Sequence, residues 1–90
     1  MTIQLLNGQF SAQDALDLLT QMVYVKIQFH ENKISQSDNE EDIKIREKRI
    51  KDLQRELYDV RQYIERNGHD GISLHAGVSV TVPREAAVLF

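Results

Sequence analysis

Residues 43–64 read IKIREKRIKDLQRELYDVRQYI, and the spacing of their apolar side chains decides the fold. Ile43, Ile50, Leu57 and Ile64 fall at heptad intervals, with Leu53 and Val60 at the intervening positions. A helix with such a repeat shows its neighbour one narrow apolar line, which is a coiled-coil seam. Arg46 occupies one core-type position, where its stem can lie along the seam while its charge reaches water. Ser37 and Glu40 spell a capping box, and Asn67-Gly68 supplies residue types that close a helix. A helix is therefore predicted over residues 38–66.

Upstream, Ser11 is a good N-cap with Asp14 three residues on, and Phe10 can pack near Ala15 as a hydrophobic staple. No Gly or Pro interrupts residues 12–34, which are predicted as a first helix. The polar connection Ser35–Asn39 is short enough to make the two helices antiparallel neighbours. This first helix carries two apolar stripes, Ala15, Leu18, Met22, Val25 and Phe29 beside Leu16, Leu19, Val23, Ile27 and Ile34. The single seam on the second helix can cover one of them. The spacing does not say which.

Strands flank the hairpin. Residues 2–6 alternate weakly, with Ile3 and Leu5 on one side, and Asn7-Gly8 reads as a turn. After Gly71 the period changes to strict alternation, Ile72, Leu74, Ala76, Val78, Val80 and Val82 against Ser73, His75, Gly77, Ser79 and Thr81. A strand is predicted over 72–82 with Val78, Val80 and Val82 on its covered face. Pro83 ends it, and residues 83–90 form a tail finishing in Val88-Leu89-Phe90, which is expected to pack against the helices or a neighbouring copy. An antiparallel hairpin brings both strands to the same end, where they pair with each other or with another chain. A two-stranded ribbon alone is marginal in water.

The expected fold class is mainly α: one domain over residues 1–90, an antiparallel coiled-coil-like hairpin flanked by a short and a longer strand, dimerising into a four-helix bundle. The stripe Leu16, Leu19, Val23, Ile27 and Ile34 is taken as the dimer interface, because an uncovered stripe is a patch of the kind that marks one. A homodimer, with room for an unknown protein partner, is the expected assembly.

Other readings are narrowed by composition. The chain lacks cysteine, so it has no disulfide framework or thiolate chemistry, which fits a reducing cytoplasm. Its first basic residue is Lys26, so no positively charged leader precedes an apolar stretch and secretion is not expected. Lys26 and His30 interrupt the richest apolar run, which excludes a membrane-spanning helix. His30, His69 and His75 lie in unrelated segments without a metal-ligand spacing, and no serine sits in a nucleophile motif. No metal, cofactor or catalytic residue is therefore expected. Asp38, Glu40, Glu41 and Asp42 sit at a helix N-terminus, where negative charge is favoured in any case.

Lys44, Lys48, Lys51 and Arg55 form a basic line on the second helix, the alternative reading being a nucleic-acid accessory protein. Against it stand a net charge of −3 and the i,i+4 pairs Glu40–Lys44, Asp42–Arg46 and Glu47–Lys51, which favour a salt-bridged, solvated face. The leading reading is a non-enzymatic, self-associating interaction module.

Overall fold

Two helix starts show how local chemistry sets the element boundaries in the computed structural model of the chain, which describes residues 1–83. The elements run β1 (Thr2–Phe10), α1 (Ala12–Ser35), α2 (Glu40–Asn67), a 3-10 turn (Gly68–Asp70) and β2 (Ile72–Ser79). At the first start, Ser11 Oγ accepts from the Asp14 N–H at 3.1 Å and the Ser11 carbonyl from the Ala15 N–H at 2.9 Å. That is the expected cap. At the second, Asn39 rather than Ser37 is the cap: its Oδ1 accepts from the N–H groups of Glu41 and Asp42 at 2.9 and 3.1 Å. One amide oxygen satisfies two of the helix's orphan donors, while Ser37 Oγ accepts from the Asn39 N–H at 3.2 Å and shapes the loop. The helix accordingly begins at Glu40, two residues later than the capping box suggests.

The two helices are antiparallel, as the cross-helix partners show: Arg46 reaches His30 near the loop, and Arg61 reaches Thr20 further along. Leu53 and Ile64 are buried on the α2 seam, with Ile43, Ile50 and Leu57 half-buried beside them. Val60, at a seam position like Leu53, is 38% exposed against 5% for Leu53. A hairpin of two helices closes over the middle of its seam and leaves the margins open.

From α1, Ile27 is buried, Leu19 and Val23 border a recess with Leu57 and Val60, and Ile34 lies by Ile50. The stripe Leu16, Leu19, Val23, Ile27 and Ile34 is thus turned towards α2, where the sequence reading had set it against a second copy. Its companion turns outward. Ala15 is fully buried near the start of α1, but further along Met22, Val25 and Phe29 are exposed, the last two by 66% and 53%.

β1 and β2 pair with each other, antiparallel, from Phe10↔Ile72 to Thr2↔Ser79. Beyond Ser79 the Val80 N–H still donates to the Met1 carbonyl at 2.7 Å. Three expectations change here. Asn7-Gly8 is no turn: β1 continues to Phe10, with Asn7 opposite His75 and Gly8 opposite Leu74, because a long complementary strand stands alongside. Ile3 and Leu5 are not equivalent, since the register slips between Gln4 and Leu6 and leaves Leu5 as the extra residue of a bulge. Val78 and Val80 are 41% and 45% exposed rather than covered, and Val82 lies beyond the strand. The helices shield this ribbon only at its root, where Ile72 and Leu74 are half-buried.

The molecule is therefore a single layer. Its extents are 50 × 32 × 16 Å and its radius of gyration is 16.8 Å, where about 12 Å is usual for a chain of this length. A thickness of 16 Å is little more than one helix with its side chains, roughly 10–12 Å. No described helix is long and apolar enough to cross a membrane. The tail ending in Val88-Leu89-Phe90 lies outside the described residues.

Candidate functional site

Among the described residues, an apolar stripe on the hairpin has no intramolecular partner. It starts at the root of the ribbon and runs along the outer side of α1 through Met22 and Val25 to Phe29. Four apolar residues, Ala15, Ile27, Leu53 and Ile64, make up the buried core of the described chain. Its surface of 7466 Å² exceeds the roughly 5,400 Å² usual for a globular monomer of this mass.

At the loop end, the stripe meets a cluster of cations drawn from both helices. Arg46 Nη1 donates to His30 Nδ1 at 3.2 Å, and Arg46 Nε to Asp42 Oδ2 at 3.2 Å. The Phe29 ring lies edge-on to His30 with centroids 5.6 Å apart, Lys33 Nζ is 5.7 Å from its centroid, and the Arg46 guanidinium carbon is 6.0 Å away. An aromatic face attracts cations through its quadrupole, so Phe29 helps hold two positive groups close together. Desolvation first, and then the charges of Arg46, Arg49 and Lys26, lower the His30 pKa from its ordinary 6.5. The ring is a neutral acceptor towards Arg46, because a guanidinium can only donate.

The sequence placed Arg46 near the loop with its charge in water, and it is half-buried there. What spacing along one helix could not show is the convergence of Lys26, His30 and Lys33 with Arg46 and Arg49. That depends on the register of the hairpin.

The basic line is in place: Lys44, Lys48, Lys51 and Arg55 are all exposed on α2. Of the expected helical pairs Asp42–Arg46 forms at 3.2 Å, whereas Glu40–Lys44 and Glu47–Lys51 do not come within 4.0 Å among the described residues. Arg49 Nη1 lies 4.0 Å from Asp52 Oδ2, three residues on.

The remaining histidines stay apart. His75 Nδ1 is 2.8 Å from Asn7 Oδ1 across the ribbon, which ties the two strands on their polar face. Among the described residues no three His, Asp or Glu side chains converge to hold a metal ion, and no buried polar side-chain atom lacks a partner. The recesses between the helices are shallow and mixed, one bordered by Glu31, Ile34, Glu47, Ile50 and Lys51. Another is bordered by Leu16, Asp17, Thr20, Arg61 and Glu65.

Comparison with protein-family models, with curated proteins and with solved structures returned no match to this chain.

Proposed function

We propose that this chain is a non-enzymatic, self-associating interaction module that works in the cytoplasm as a homodimer, two hairpins contributing four helices to one assembly. The observation that carries this reading is the outward stripe of α1. Val25 and Phe29 stand in solvent on a molecule one layer thick, whereas stable domains pack at least two layers around a core. A second copy supplies the missing layer, and closed two-fold pairing is the commonest way for identical chains to do so. The interface is Met22, Val25 and Phe29 rather than the stripe turned towards α2. The opposite flank, with the basic line, stays free for a protein partner. Sedimentation equilibrium tests the reading: the wild type is expected at twice the 10.4 kDa chain mass, and a folded monomer at high micromolar concentration would remove it.

The exposed, largely unpaired basic line supports a second reading, an accessory protein that binds nucleic acid through Lys44, Lys48, Lys51 and Arg55. A mobility-shift titration at low salt separates the two, because contacts of that kind weaken steeply with salt.

A further inference from the structure

The register of the ribbon assembles a second apolar surface. Partners across an antiparallel pair share a face, so Phe10 and Ile72, Gly8 and Leu74, Leu6 and Ala76, and Ile3 and Val78 lie on one side of the ribbon. The bulge at Leu5 makes this possible: in a regular strand with Leu5 in register, Ile3 would fall on the face opposite Leu6. Met1 and Val80, joined by two hydrogen bonds, extend the same side to the tip. The root of this face is half-buried and the outer part, Ile3, Val78 and Val80, is exposed.

Two apolar surfaces thus leave one root, the uncovered outer part of the ribbon's apolar face and the outer stripe of α1. They do not meet within the chain. Single residues, Ser11 and Gly71, join the ribbon to the helical part, and joints so short leave the ribbon little freedom to fold back over its own α1. Their dimensions match in trans. From Ala76 to Val80 the ribbon extends about 14 Å at the strand rise, and from Met22 to Phe29 the stripe extends about 10 Å at the helical rise. The surface in excess of a globular monomer, on the order of 2,000 Å², also exceeds the ~800 Å² that each partner buries in a standard interface.

We propose that two copies associate by reciprocal arm exchange, the apolar face of the β1–β2 ribbon of each chain lying on the Met22–Val25–Phe29 stripe of the other. This rests on self-association and specifies which segment of the second copy covers the stripe. A two-fold axis makes both contacts identical and closes the assembly, and each ribbon gains the packing that two strands alone lack.

The chain has no cysteine, so single-cysteine variants report the arrangement directly. Val78→Cys and Val25→Cys, one carrying a mass tag, are mixed and mildly oxidised. The expected product is the mixed disulfide, in excess over either self-linked species. Self-linked Val25→Cys would mean that α1 meets α1, and self-linked Val78→Cys that ribbon meets ribbon. Either result overturns the exchange while leaving self-association standing, as do thiols that stay unlinked in a protein sedimenting as a dimer. A monomer overturns both. Charge at the arm gives an independent reading: Val78→Lys with Val80→Lys is expected to weaken dimerisation by about tenfold or more, with the far-UV spectrum unchanged. An unchanged dissociation constant would overturn the proposal.

Discussion

Arg46 and His30, sixteen residues apart in sequence, meet at 3.2 Å between the two helices, Nη1 of the first donating to Nδ1 of the second. The contact requires the imidazole to be neutral, and it fixes a pH dependence with a definite sign. In the folded chain the His30 pKa lies below its ordinary 6.5 because of desolvation and the neighbouring charges of Arg46, Arg49 and Lys26. Arg46 itself is held in place by Asp42, whose Oδ2 accepts from its Nε at 3.2 Å. The unfolded chain therefore binds the proton more readily. Stability is complete above the unfolded value and falls as pH drops from 6.5 towards the lowered folded pKa, then levels. Urea midpoints measured between neutral pH and about pH 5 should show this fall, and His30→Gln should flatten it. An equal slope in both proteins would mean that carboxylates elsewhere set the pH response.

The seam offers a graded test of packing. Leu53→Ala removes a side chain that is 5% exposed and is expected to cost about 2–5 kcal/mol. Val60→Ala, on the same seam, removes one already 38% exposed and should cost less than about 1 kcal/mol. Equal losses would show that both margins of the hairpin are sealed in solution, with a second copy as the simplest cover for Val60.

The contrast between Leu53 and Val60 also shows what the sequence could and could not convey. Periodicity marked the helices, their antiparallel pairing and the strand after Gly71, because a side chain's angular position on an element is set by local geometry. Depth of burial is set by what lies opposite, and a one-layer fold offers little. The same limit explains the ribbon. Val78 and Val80 alternate as a covered face should, but the helices end before they reach it. Asn7-Gly8 carries turn chemistry that any short-range reading takes as a hairpin, and only β2, more than sixty residues downstream, overrides it. The cation cluster around Phe29 was hidden for a related reason, since it exists only once the register of α1 against α2 is known.

Gly68 is expected to resist replacement for want of space. A Cβ built there would stand 3.1 Å from Ile72 Cδ1 and 3.2 Å from Ala12 Cβ, at the junction of both helices with the ribbon. Space is lacking and the neighbours belong to two different elements, α1 and β2, so Gly68→Ala should destabilise the fold by about 1–3 kcal/mol through overpacking. Hydrogen exchange locates the effect: the amides of β2 from Ile72 onward should lose protection before those at the centre of α2. Uniform loss along the chain would mean that the ribbon root is not a separate cooperative unit.

Two valines separated by a single residue distinguish the inner face of α1 from its outer face. Val23 borders the recess shared with Leu57 and Val60, whereas Val25 is 66% exposed on the outward stripe. A carboxylate at position 23 would be pressed against Leu57 and Val60 of α2 in a recess that the Glu56 carboxylate also borders, so Val23→Glu should cost several kcal/mol of folding stability. At position 25 the same carboxylate is solvated in the isolated chain, and Val25→Glu should leave the hairpin folded while abolishing the dimer. Circular dichroism with thermal melting and sedimentation equilibrium read the two effects separately. Val23→Glu is expected to lower the melting temperature at any protein concentration. Val25→Glu is expected to sediment as a monomer and to remove the rise of melting temperature with concentration that a dimer shows, since association stabilises the folded state by mass action. If instead Val23→Glu dissociates a chain that stays folded and Val25→Glu changes nothing, then the stripe Leu16, Leu19, Val23, Ile27 and Ile34 is the interface in solution, and α2 must leave it to make room for the second copy.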